Sequence, residues 1–115
     1  MMSKLSFTVH GNVSAVADTI ENGFCESGLS CELVDRVSRN VNGGQVRMLV
    51  FEKYMWRVSN RVSLTVMLCG NGDTVTVDAI GSGAGQGAFL FFTWGAEDNL
   101  VNKVEEILRN AGYLR

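Results

Sequence analysis

Residues Lys4 to His10 alternate, with Leu5, Phe7 and Val9 on one side and Ser6, Thr8 and His10 on the other, the pattern of a half-buried strand. Gly11 ends it. Asn12 is placed to cap a helix in which Val13, Val16, Ala17, Ile20 and Phe24 recur at helical spacing until Gly28 supplies a stop. Gly23 lies inside that helix, where glycine costs about 1 kcal/mol relative to alanine. A second strand runs from about Ser30 to Asn40, with Cys31, Leu33 and Val37 on one side and Glu32, Val34 and Arg36 on the other. Asn42-Gly43-Gly44 then predicts a hairpin turn that needs positive φ.

The third strand, Gln45 to Arg57, is apolar on both sides. One face carries Val46, Met48, Val50, Glu52, Tyr54 and Trp56, and the other Arg47, Leu49, Phe51, Lys53, Met55 and Arg57. An antiparallel sheet with one wet face alternates cleanly, so one of these faces needs a cover. After the turn residues Ser59-Asn60, Val62, Leu64, Val66 and Leu68 form the core row of a fourth strand, opposite Ser63, Thr65, Met67 and Cys69. Gly70-Asn71-Gly72-Asp73 is the clearest turn in the chain. Strand five begins at Thr74, and its core row shrinks in order through Val75, Val77, Ala79, Gly81, Gly83, Gly85 and Gly87. Bare backbone invites close approach, by the last helix or by a ligand. The apolar run Ala88 to Trp94 reads as a buried strand or a packed connection. A last helix follows, with Glu97 and Asp98 in its first turn, Leu100, Val104, Ile107, Leu108 and Ala111 as its stripe, and Gly112 as its stop.

The order β-α-β-β-β-β-α predicts an α+β fold: two layers, an antiparallel sheet of about five strands with two helices on one face, and a single domain over 1–115. Its 115 residues are 46% hydrophobic and 19% charged, a globular composition. No apolar run reaches the roughly 18 residues of a membrane span, and the N-terminus lacks a signal-peptide pattern, so the expectation is a soluble, cytoplasmic protein with no membrane partner. Cys25, Cys31 and Cys69 form no C-x-x-C pair and match no zinc module, which reads as reduced, mostly buried thiols and no metal site.

Behind glycines 81 to 87 stands Trp94-Gly95-Ala96-Glu97. With the strand order, this segment makes the chain resemble a family of uncharacterised small bacterial proteins, a domain of unknown function. The layout is also similar to one repeat of the TATA-binding-protein-like fold and, more loosely, to helix-grip lipid-binding folds. The resemblance implies no activity and carries over no catalytic residue.

The motifs agree. Gly83-x-Gly85-x-x-Ala88 has the spacing of a dinucleotide fingerprint but runs into aromatic residues where a helix must start, and no βαβ unit surrounds it. No Lys-Ser or Lys-Thr follows the glycines, which excludes a P-loop. His10 is the only histidine, and no carboxylate pair stands out. The expectation is no cofactor and no catalytic residues.

Surfaces remain. Arg36 to Arg61 holds six basic residues against one acid, while the rest holds four against eleven. Such a split marks either a basic face or basic strands balanced by acidic helices of the same domain. The row Arg47, Leu49, Phe51, Lys53, Met55 and Arg57 is expected to be an interface, with Leu49, Phe51 and Met55 as anchors and the cations as rim. On that reading the chain is a homo-oligomer, and Phe51→Asp yields a folded monomer. The alternative cover is another part of the same chain. Nucleic acid is disfavoured by the acidic net charge of −2. A second expectation is a small apolar ligand, in a pocket between the glycine strand and the helices lined by Tyr54, Trp56, Gly81, Gly83, Gly85, Phe91 and Trp94.

Overall fold

The structure, a computed structural model, describes residues 2–27, 31–55, 60–83 and 96–114. The elements are β1 (Met2–His10), α1 (Val13–Glu26), β2 (Cys31–Val41), β3 (Gly44–Met55), β4 (Asn60–Asn71), β5 (Thr74–Gly83) and α2 (Ala96–Asn110). The strands form one antiparallel sheet in the order β1-β5-β4-β3-β2, so β1 and β2 are its edges. Both helices pack on one face, giving the α+β architecture in the predicted order. Ala88 to Trp94 lies outside the described residues.

Local chemistry sets the joints. Asn12 is extended, and its side-chain oxygen accepts the Ala15 N–H at 2.8 Å, closing the first turn of α1. Asn42 and Gly43 have φ of 47° and 82°, the two positive angles that a type I′ turn demands. At the far end of α2, Gly112 takes a φ of 90°, and its N–H and that of Tyr113 donate to Arg109 and Leu108, which satisfies carbonyls the helix leaves unpaired.

The core lies between sheet and helices. Val62, Leu64, Val66 and Leu68 of β4 and Val75, Val77 and Ala79 of β5 are fully buried against Val16, Ala17 and Ile20 of α1 and Leu100, Val104 and Leu108 of α2. α2 lies over β5, β1 and β4, so the small end of the β5 row sits on the side that the last helix covers. Gly23 owes its place to the helix pair: a Cβ there would meet the Ile107 side chain at 2.6–2.7 Å. Gly70 does the same for the start of α1, since a Cβ would strike Val13.

Candidate functional site

The two faces of β3 are the reverse of those expected. Leu49 and Phe51 are 0% and 1% exposed, and the Phe51 ring lies 4.7 Å from that of Phe24 in α1. Their face is the one the helices cover, so they are core residues and not anchors of an open interface. Arg47 beside Leu49 and Arg36 opposite it serve the same packing. Arg47 donates to Ser14 of α1 and to Ser38, both at 3.1 Å, with Asp18 3.9 Å away, and Arg36 pairs with Glu21 of α1 at 3.0 Å. Two of the basic strand residues are thus balanced by acids of a helix in the same domain. Lys53 stands opposite Cys31 at the end of the β2–β3 ladder. Burial pushes the Cys31 thiol up, with the Lys53 charge working against it. The Met55 side chain and Arg57 fall outside the described residues.

A bulge causes the reversal. Pairing of β2 with β3 shifts between Leu33 and Asp35, leaving Val34 as the extra residue, 51% exposed. Cys31 and Leu33 therefore pack against the core, whereas Asp35, Val37 and Arg39 stand opposite Val50, Met48 and Val46 on the other face.

Among the described residues, that other face has no helix on it. Its side chains form cross-strand rows that run from β2 to β1. The first is Arg39, Val46, Cys69, Thr76 and Thr8; the second is Val37, Met48, Met67, Asp78 and Ser6; the third is Asp35, Val50, Thr65, Ile80 and Lys4. Apolar groups gather on β2, β3 and β4, with Met48 and Met67 37% and 41% exposed side by side at the centre. Polar groups surround them. Ser6 donates to Asp78 at 2.6 Å, and at one end Arg61 bonds Glu52 at 2.9 Å and lies 5.5 Å from the Tyr54 ring centre. At the hairpin end, Val41, Val46, Cys69, Thr74 and Thr76 line a shallow recess of about 340 Å³ continuous with the band.

Sequence reasoning missed this face because it assigned Val46, Met48 and Val50 to the core. Its ligand-site residues are also divided. Gly81 lies on the core side opposite Leu64, whereas Tyr54 is 50% exposed on the helix-free side. Gly83 closes the β5 ladder opposite Val62, and Trp56, Gly85, Phe91 and Trp94 lie outside the described residues. A polar groove of about 470 Å³ between the helices, floored by Gly23 and Ile107 and flanked by Glu26 and Lys103, is a further concavity. Among the described residues no group of three or more His, Cys, Asp or Glu is placed to hold a metal ion, and no helix is long and apolar enough to cross a membrane.

One face sealed by two helices and one bearing an apolar band define an open-faced, two-layer α+β protein. The chain belongs to the Family of unknown function (DUF6054), whose profile matches residues 2–112. No curated protein matches the sequence. Among solved structures, the chain is similar to a structural-genomics protein from Nitrosospira multiformis, at 15% identity over 90% of this chain and 93% of that one, with a TM-score of 0.49. It is also similar to a protein from Thermus thermophilus, at 12% identity over 97% and 99% of the two chains, TM-score 0.39. For cyanobacterial PsbP (CyanoP) from Synechocystis sp. PCC 6803 the identity is 8%, over 89% of this chain and 64% of that one, TM-score 0.43.

Proposed function

We propose that this chain is a non-enzymatic interaction module that self-associates through the helix-free face of its sheet. The observation that carries the reading is the apolar band of Val37, Val46, Met48, Val50 and Met67, which among the described residues neither α1 nor α2 covers. Sheets pack face to face at about 10 Å with interdigitating side chains, and contiguous apolar patches beyond a few hundred Å² are uncommon on monomers. A second copy suits the rim, which holds both signs of charge: Lys4, Arg39 and Arg61 with Asp35, Glu52 and Asp78. A nucleic acid would call for one sign.

The β2 edge favours a face-to-face mode over strand addition. The Arg36 N–H is taken by the Asp35 carboxylate at 2.8 Å, and the Ser38 carbonyl accepts from the Arg39 guanidinium at 2.8 Å. With the bulge at Val34, these bonds blunt that edge. The unpaired thiols Cys25, Cys31 and Cys69 accord with a reducing compartment, the cytoplasm.

Light scattering after size exclusion tests the reading with a Met48→Lys/Met67→Lys variant. The variant is expected to run as a monomer with unchanged circular dichroism while the natural chain runs as a defined oligomer. A natural chain at monomer mass, or a variant of unaltered mass, would overturn it.

A further inference from the structure

We infer that the partner is a second copy related by a two-fold axis along the Val37–Met48–Met67 row, perpendicular to the strands, so that Arg39 of each copy pairs with Asp35 of the partner subunit. This inference rests on the self-association reading above.

The argument comes from the register. Asp35 and Arg39 lie on β2 on either side of Val37, pointing to the helix-free face because they stand opposite Val50 and Val46. Both are exposed. A two-fold axis along the middle row exchanges the rows on either side of it. Each Arg39 then meets an opposite charge, twice per dimer, and a guanidinium and a carboxylate reaching from facing sheets span the usual separation of about 10 Å. The same operation sets Val46 over Val50 and each methionine over its own copy, so apolar half meets apolar half.

The competing axis, parallel to the strands along β4, does worse. It lays Asp78 on Met48 and Arg39 on Thr8, which removes a carboxylate from water against a thioether and leaves the guanidinium facing no acid. The favoured axis also brings the two Asp78 carboxylates, which lie on the middle row, toward each other. Their removal should tighten the dimer, which gives a second, independent check.

Charge reversal tests the geometry, with dissociation constants from sedimentation equilibrium. Arg39→Asp and Asp35→Arg are each expected to weaken association about tenfold or more, and the double reversal to restore it to within about threefold. Asp35→Asn, which keeps an acceptor for the Arg36 N–H, guards against damage to the bulge and should also weaken association. Asp78→Asn should strengthen it. Single reversals without effect, or a double reversal no better than its parents, would overturn this axis while leaving self-association standing. A natural chain that stays monomeric would overturn both.

Discussion

The rings of Phe24 in α1 and Phe51 in β3 lie 4.7 Å apart and tilted by 35°, and both residues are about 1% exposed. This contact fixes which side of β3 faces the helices. It also fixes the fate of substitutions there. Phe51→Ala should cost about 3–5 kcal/mol, the range for deleting a buried phenylalanine. Phe51→Asp should fail to fold, because an unpaired carboxylate would sit against the Phe24 ring. Urea titration followed by circular dichroism checks both, and a folded, stable Phe51→Asp chain would contradict the assignment.

Gly23 sits where α1 and α2 touch. Alanine there gains about 1 kcal/mol of helix propensity but places a methyl group inside the Ile107 side chain, an overpacking worth about 1–3 kcal/mol. Gly23→Ala should therefore lower the thermal midpoint. In an Ile107→Ala background the same change should raise it, since the obstacle is gone. An equal effect in both backgrounds would show that the two helices do not meet at this pair.

Two ion pairs of nearly equal length should differ in worth. Arg36 meets Glu21 at 3.0 Å, and the Glu21 side chain is only 16% exposed, with Oε2 buried and without a hydrogen-bond partner among the described residues. Arg61 meets Glu52 at 2.9 Å with both side chains well exposed. Loss of Arg36 strands a largely buried carboxylate, so Arg36→Ala should cost about 1–3 kcal/mol, and Arg61→Ala no more than about 1 kcal/mol. Adding Glu21→Gln to Arg36→Ala should recover part of the loss. Equal costs in denaturant titrations would refute the ordering.

The Cys31 thiol gives a pH dependence. Burial raises it above the ordinary value of 9.0. The folded chain therefore holds this proton at a pH where the unfolded chain has released it. Its contribution is fully present below about pH 9.0 and is lost as pH rises through the folded value. The stability gap between the natural chain and Cys31→Ala should accordingly narrow on going from neutral to alkaline pH. A gap constant with pH would contradict it.

Much of this arrangement was legible in the residues. The Asn12 cap, the Asn42-Gly43 turn, the β4 core row and the Gly112 stop each follow from local chemistry, and together they yield the element order. The choice of face on β3 was not legible. Unbroken alternation puts Val37 on the side of Cys31 and Leu33, and the tight turn then carries that assignment to Met48 and the rest of β3. The bulge at Val34 inserts one residue and inverts everything after it. Val34 has neither the glycine nor the proline that would announce a bulge. Arg47 added to the error: beside Leu49 and Phe51 a cation reads as a wet rim, yet here it reaches Ser14 and Asp18 of α1.

The most direct test is the solution mass of the natural chain, by light scattering after size exclusion at low and at moderate salt. A face sealed by Met48, Met67 and Val50 should give a dimer in both, because burial of apolar surface is not screened by ions. A mass equal to that of one chain in both salts would contradict self-association through this face.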